Sequence, residues 1–584
     1  MMELKFTEII NRNRQFEKEL VGNKYRIAII SNVSISQLKD VLEYMLRHDG
    51  INAEVTIGDY DSVVSDSHRF KEFDAVILFW ELCNIIDDFQ YKASILSTEE
   101  INAMVQKVEL ELDLVLSNLK NVPLVIFNYF TSMLFEMQPL KKNVLNKTTS
   151  TLNKLLEKKI GGNNIIVNID SVLCDVGKSK ATNYRNYQSS KSLYTIEFLK
   201  AYCESIKPSF LAVHGRVKKV LVLDCDNTLW HGILSEDGED GIEMSGLTMK
   251  GKVFREVQYL LRGIRKSGIV LAVCSKNNAS DVENVFVNHK DMILRLDDIT
   301  AMKINWNDKA SNLRDLGIEL NVGLDSMVFL DDSSFEIGFI QKELPQVKCI
   351  QVPENLSEYP LLISKLSNEF FRLSASEEDS NKTKMYKDEQ KRKEIKAQHT
   401  STDDYLRSLG IVLSILTGKD IPIARAAQLT QKTNQFNLTT KRYTENDIIK
   451  MVENPLIILA AFSLADNYGE YGITGLCIVN IEAGPNPVAE IDTFLMSCRV
   501  LGRNIETAFL NWVVLYVKIK NISSIKSQFI ETSKNQQVKE FYEKHGFNKI
   551  EDLIHTVRYE IKPQDYQNQK TDHILIKTSK NGNV

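Results

Sequence analysis

Two carboxylates one residue apart, at the end of an apolar run, set the chemistry this chain could perform. Residues 220–230 read VLVLDCDNTLW. The first four are apolar and rich in β-branched side chains, the pattern of a strand buried on both faces of a parallel sheet. Asp224 and Asp226 follow, with Cys225 between them. In extended backbone, alternate residues share a face, and open α/β sheets gather ligands at the carboxyl ends of their strands. Two acids there form a hard-oxygen site suited to Mg²⁺, and an acid beside a bound cation can attack phosphorus. Alternation points Cys225 away from them. An Asp-x-Asp-x-Thr segment also makes ordinary turns, so phosphoryl chemistry needs support from elsewhere in the chain.

Three later segments supply it. An apolar run at 269–273 ends in Cys274-Ser275-Lys276-Asn277, Lys309 stands in KINWNDKASNL, and a run at 327–330 ends in Asp331-Asp332-Ser333-Ser334. In this order the four segments resemble the motifs of haloacid-dehalogenase-type (HAD) phosphatases. The resemblance implies Asp224 as the phosphoryl-accepting nucleophile and Asp226 as general acid and base. It implies Ser275 and Lys309 on the phosphoryl oxygens. Mg²⁺ is then expected on Asp224, the Asp226 backbone carbonyl and Asp331, with Asp332 as the alternative ligand.

TLWHGILSEDG, KINWNDKASNL, NQFNLTTKRYT, DNYGEYGITG, FLMSCRVLGR and FYEKHGF, spread over residues 219–547, narrow the likeness. Together they resemble the FkbH-like family, three-domain proteins that load glyceryl units onto acyl carrier proteins. DDSSFE stands where that family more often has DDNPxE, and TLWHG where TLWGG is usual; both departures bear on loop shape and substrate fit. The resemblance implies 1,3-bisphosphoglycerate as substrate, the phosphopantetheine thiol of a carrier protein as acceptor, and a place in polyketide or related secondary-metabolite biosynthesis. One alternative is a phosphatase for another acyl or sugar phosphate whose last domain acylates a small molecule. Another is a non-catalytic carrier-protein docking scaffold, against which Asp224, Asp226, Ser275, Lys309 and Asp331 argue together.

At 584 residues the chain exceeds one ordinary core. Three α/β domains are expected. Residues 1–205 alternate strands (26–31, 53–57, 75–79, 124–127, 165–167) with helices such as 37–47 and 101–119, the signature of a doubly wound parallel sheet. The resemblance makes this region SGNH-hydrolase-like. Ser31 and Ser34 follow its first strand, and Asp170 or Asp175 stands near its end. No Asp-x-x-His follows, and His48 and His68 come too early to serve as a base, so a non-catalytic recognition domain is expected. Residues 215–373 form the HAD-like Rossmannoid domain, with an amphipathic helix at 246–264. Its insert at 231–248 is short, which keeps the site open to a large substrate. Residues 374–404 read as a charged helical linker.

Residues 405–562 mix strands at 411–415, 456–463, 475–480, 488–496 and 555–560 with helices at 422–430, 504–518 and 537–545, and resemble a GNAT-type α+β fold. Residues 563–584 read as a tail. Where such a fold uses a Gly-rich turn to bind pyrophosphate, this chain has Arg499-Val500-Leu501-Gly502-Arg503-Asn504, with a single glycine. Arg499, Gly502 and Arg503 are the expected cofactor-binding residues. Acetyl-CoA is less favoured than a carrier-borne phosphopantetheine arm, which shares the end of coenzyme A that the fold would cradle. Cys498, directly after a strand and beside two cations, is a candidate acyl-accepting thiol, although cysteine also packs as a small hydrophobe.

Composition narrows the context. A net charge of −5 and a pI near 6.1 give no general reason for nucleic-acid binding. The eight cysteines make no C-x-x-C pair, so reduced cytoplasmic thiols are expected rather than a zinc or disulfide framework. No signal peptide or membrane span is expected.

Overall fold

The structure, a computed structural model, describes residues 4–20, 22–85, 88–134, 143–161, 164–371, 401–497, 500–532 and 534–578. The chain divides into two compact units, Met1–Val213 with Thr444–Asp447, and His214–Tyr443 with Ile448–Val584.

The first unit holds β1 (Tyr25–Ser31), β2 (Ala53–Ile57), β3 (Ala75–Phe79), β4 (Leu124–Asn128) and β5 (Asn164–Val167), all parallel, in the order β2-β1-β3-β4-β5. Every residue of β3 and β4 is buried, as expected of strands covered on both faces. The helix Thr98–Leu119 begins three residues before its sequence expectation because Ser97 and Glu100 form a capping box. The last helix, Ile196–Val213, runs through Pro208 and carries the unit beyond the expected boundary at 205.

The second unit contains two sheets. Five parallel strands, β6 (Val220–Leu223), β7 (Val270–Ser275), β8 (Ala301–Ile304), β9 (Met327–Asp331) and β10 (Lys348–Gln351), lie in the order β10-β9-β6-β7-β8. β6 is central and wholly buried. Its Leu223 aligns with Val273 of β7 and Leu330 of β9, so the residues that follow all three strands emerge at one edge. The helix Met249–Lys266 starts later than the expected 246 because the Thr248 side chain accepts the Gly251 N–H (2.9 Å) and caps it. Phe254, Val257 and Leu261 of that helix pack in one core with Leu221, Leu223 and Val273, while Val220, Val222 and Phe329 face a second core under the helices Lys309–Glu319 and Ser334–Glu343.

The other sheet is mixed. It comprises β11 (Ile411–Thr417), β12 (Phe436–Asn437), β13 (Ile457–Asp466), β14 (Gly469–Glu482), β15 (Val488–Met496), β16 (Ser524–Ile530), β17 (Asn548–Leu553), β18 (Thr556–Ile561) and β19 (Ile574–Thr578). The order is β17-β18-β16-β15-β14-β13-β11-β19, with β12 paired to β15. Three domains are expected; the described residues form three sheets, and the last two of these share one compact unit. The expected tail contributes β19, parallel to β11. The helix expected at 537–545 is reduced to the turn Phe541–Lys544 after a 3₁₀ turn, Gln536–Val538. Residues 374–400 of the expected linker at 374–404 lie outside the described residues. Among the described residues no helix is long and apolar enough to cross a membrane.

Candidate active site at the strand ends of the parallel sheet

Register brings the four sequence segments together. Asp224 leaves β6, Asp331 ends β9, and Asp332 follows it; their carboxylate oxygens lie within 4.8 Å of one another. Lys309, the first residue of a helix capped by Asp308, reaches between them. Its ammonium lies 2.6 Å from Asp331 Oδ2 and 2.9 Å from Asp224 Oδ1. The Asp308 carboxylate accepts the Ser311 N–H at 2.8 Å, which fixes where that helix begins. Asp331 Oδ1 accepts the Ser333 N–H (2.9 Å), so the turn after β9 orients the acid.

Electrostatics at this point is under tension. Burial raises the pKa of Asp224, and Lys309 and, more weakly, the Ser275 hydroxyl pull it back. Asp331 is raised by burial and by the charge of Asp224, and Asp332 by burial and by Asp331. Burial works against the charge on Lys309, but Asp224 and Asp331 outweigh it and hold the ammonium protonated. Asp224 Oδ1 stands at ion-pair distance from Lys309 without an aligned hydrogen-bond donor. Two buried acids that share one lysine, one of them with an oxygen lacking a donor, and a half-buried third beside them are the donor set of a hard divalent cation, so the residues fit Mg²⁺.

Asp226 stands apart from that cluster. Its Oδ1 accepts from Trp230 Nε1 (2.9 Å) and from the Leu234 N–H (3.1 Å), and its Oδ2 accepts from Asn277 Nδ2 (2.9 Å). The carboxylate is therefore held by neutral donors, and only its backbone is left for the expected metal role. Asn227, at φ 50°, turns the chain behind it and accepts the Gly232 N–H at 3.1 Å. Ser275 is buried at the end of β7. The next residue, Lys276, pairs with Glu336 at 2.6 Å and ties the β7 loop to the helix after β9. Sequence reasoning passed over Trp230, Asn277, Lys276 and Glu336, although all four lie inside or beside the recognised segments and are polar at positions next to the catalytic types.

Elsewhere the expected residues are placed less favourably. Cys225 is wholly buried, and burial beside Asp224 pushes its thiol well up, away from nucleophilic use. Cys498 and Arg499 lie outside the described residues. Gly502 takes φ 78°. Arg503 is buried, 3.4 Å from Asp466 and over the Tyr471 ring.

In the first unit Ser31 Oγ donates to Val33 O (2.7 Å) and accepts the Val33 N–H (3.1 Å), closing on its own turn. His48, His68 and Asp175 are exposed. The buried polar centre of that unit is instead Glu81, after β3. Asn32 and Glu81 exchange backbone–side-chain bonds of 2.7 and 2.8 Å, and Tyr194 OH donates to Glu81 Oε1 at 2.5 Å. Burial pushes this carboxyl up to about 8, with Asp170 adding to the rise and the Tyr194 bond opposing it.

The sequence matches no protein-family model and no curated protein. Among solved structures, the chain is similar to the N-terminal part of the protein BF1531 from Bacteroides fragilis, which contains a phosphatase domain complexed with Mg. The two share 24% identity at a TM-score of 0.57, over 64% of this chain and 100% of that one. That match shows a shared fold over the part of the chain it covers. Acetyltransferases match the C-terminal part with low scores. The ribosomal-protein-S18-alanine N-acetyltransferase from Escherichia coli matches at 11% identity, over 26% of this chain and 93% of that one, with a TM-score of 0.20. The PaiA N-acetyltransferase from Thermoplasma acidophilum, in complex with coenzyme A, matches at 18% identity, over 20% of this chain and 70% of that one, with a TM-score of 0.17.

Proposed function

We propose that the protein is a Mg²⁺-dependent HAD-type phosphatase and acyl transferase. On this reading it dephosphorylates 1,3-bisphosphoglycerate and delivers the glyceryl group to the thiol of an acyl carrier protein. The observation that carries the reading is the meeting of Asp224, Asp331 and Asp332 around Lys309 at the strand ends. The glyceryl group and the carrier protein rest on the likeness to the FkbH-like family. The fold shared with a phosphatase-containing protein supports the first half of the reading.

The residues divide the work as follows. A bisphosphorylated acyl substrate has one phosphate in an acyl anhydride and one in an ester. At the ester, an Asp224 oxygen bonds to phosphorus while the P–O bond to the alcohol breaks, and Asp226 delivers a proton to the departing oxygen. Asp226 then takes a proton from the water that attacks the aspartyl phosphate, which releases inorganic phosphate and restores Asp224. Trp230, Leu234 and Asn277 fix the Asp226 oxygens for that exchange. Lys309 and Ser275 supply positive charge and a hydroxyl to the phosphoryl oxygens. Bound Mg²⁺, on Asp224, Asp331 or Asp332 and the backbone beyond Asp224, would neutralise phosphoryl charge. At the anhydride, the carrier thiolate attacks the carbonyl carbon and the C–O bond to phosphate breaks, conserving activation in a thioester.

The test is phosphate release from 1,3-bisphosphoglycerate with and without Mg²⁺, alongside the intact mass of a holo carrier protein. Mg²⁺-dependent release with a glyceryl mass on the carrier supports the whole reading. Release without that mass leaves a phosphatase of another acyl or sugar phosphate, and no release from any phosphate ester removes the reading.

A further inference from the structure

The C-terminal sheet closes with its own chain the place where a thioester arm would lie. β15 and β16 are parallel and pair only from Val488↔Ser524 to Ile491↔Ser527. Past that point β15 continues to Met496 and β16 to Ile530, so the two strands part and their facing backbone groups need partners. A parting of this kind suits an extended, amide-bearing ligand, because such a ligand pairs with strand edges as a further strand does. A pantetheine arm is of that class.

Here β12 lies in the gap, antiparallel to β15, with Phe436 opposite Met496 and Asn437 opposite Leu495. Leu438 N donates to Phe494 O (3.1 Å), and Ile530 N donates to Leu438 O (2.8 Å), so one short segment bridges both strands. A strand and its two neighbours are spaced about 4.8 Å apart, which leaves no room for a second chain in the same plane. Side chains secure the segment. Asn535 Nδ2 donates to Asn437 O (3.0 Å) and Ile530 O (2.8 Å), and Thr439 Oγ1 donates to Asp492 O (2.9 Å). Asp492, the extra residue where the β14–β15 register shifts, also receives the Lys441 ammonium and the Tyr443 hydroxyl.

The segment also holds a strained residue. Thr440 adopts φ 53°, an outlying conformation for a β-branched side chain. Asn437 Oδ1 accepts the N–H of Thr439 (3.3 Å) and of Thr440 (2.8 Å) and keeps it there. Such strain persists only where the surroundings over-determine it, so the closure is built into the fold.

We infer that the C-terminal domain is self-occluded: its segment 436–438 occupies the gap between β15 and β16, and neither acetyl-CoA nor a carrier-borne phosphopantetheine arm is held there. Thioester chemistry therefore takes place outside that gap. This inference stands independently of the phosphatase reading.

The test uses the full-length chain with coenzyme A as the probe. Calorimetry should show no saturable binding up to ~1 mM, and hydrogen exchange at the Leu438 and Ile530 amides should be the same with and without coenzyme A. Saturable binding with faster exchange at those two amides would overturn the inference. Binding that leaves them protected places coenzyme A elsewhere and upholds it. Asn437→Ala removes both hydrogen bonds that its Oδ1 accepts and should speed exchange at Leu438 at least about tenfold, while phosphate release stays unchanged; an unaltered exchange rate rejects Asn437 as the latch. Should that variant fail to fold, Thr440→Gly relieves the strain without removing a bond and should keep both amides protected, whereas loss of protection would count against closure.

Discussion

Lys309 decides whether the acid cluster can exist without a cation. Its ammonium sits between Asp224 and Asp331, and all three side chains are almost wholly buried. Replacing it with methionine leaves two buried carboxylates with no compensating charge, a change that costs about 3–5 kcal/mol when one partner of a buried pair is removed. We expect Lys309→Met to lower thermal stability markedly in chelator. Mg²⁺ should restore more of it in the variant than it adds to the wild type, because the cation replaces the missing charge. Equal Mg²⁺ stabilisation of both proteins would show that the cluster does not bind the cation. Asp224→Asn, which keeps shape but loses the proposed nucleophile, should fold and reduce phosphate release at least ~10³-fold. A folded variant with substantial release would move the nucleophile elsewhere.

At the scale of elements, what could be foreseen depended on burial. β3, β6, β7 and β9 are apolar runs up to their last residue or two, as β1 is over residues 27–30, and the central strands of parallel sheets must be, so the acids and hydroxyls at their ends could be located from spacing alone. β10 (KCIQ) and β16 (SIKSQFI) were invisible because edge position or alternation leaves them partly polar, and β8 (AMKI) because it is short and half exposed. β12 carries no periodic signal at all; its two residues form a strand only because β15 and β16 part. Nor does spacing reveal the bonds that hold Asp226, which depend on a turn at Asn227 and on the end of a neighbouring strand.

One glycine in the mixed sheet was legible only in three dimensions. Gly475 lies opposite Phe462, and a Cβ added there would stand 1.9 Å from a ring atom. Phe462 itself packs edge-on against Phe509 at 4.8 Å, so the ring cannot swing away without breaking that core. Gly475→Ala should therefore cost about 1–3 kcal/mol, the usual price of overpacking. Chemical denaturation would register it as a lower midpoint at unchanged slope. A neutral result would mean that the ring relaxes freely.

For the molecule as a whole, the two compact units should answer differently to pH, and Glu81 provides the handle. It lies in the first unit, wholly buried, with a folded-state value near 8 against an ordinary 4.5. Because the folded state holds this proton more tightly, the stabilisation is fully present below about pH 4.5 and is lost as pH rises through about 8. The loss is on the order of 2–5 kcal/mol by about pH 9. Glu81→Gln keeps an oxygen for the Tyr194 hydroxyl and cannot ionise, so it should hold its stability over that range while the wild type declines. The decline should be confined to the unfolding of Met1–Val213, followed by its own probes, because Glu81 belongs to that unit's core. Lys309→Met should act on the other unit, since Lys309 and both of its partners lie there. Calorimetry and site-resolved hydrogen exchange at pH 6 and pH 9, on wild type and both variants, separate these effects. Equal pH sensitivity in wild type and Glu81→Gln would show that this carboxyl does not titrate as its burial demands.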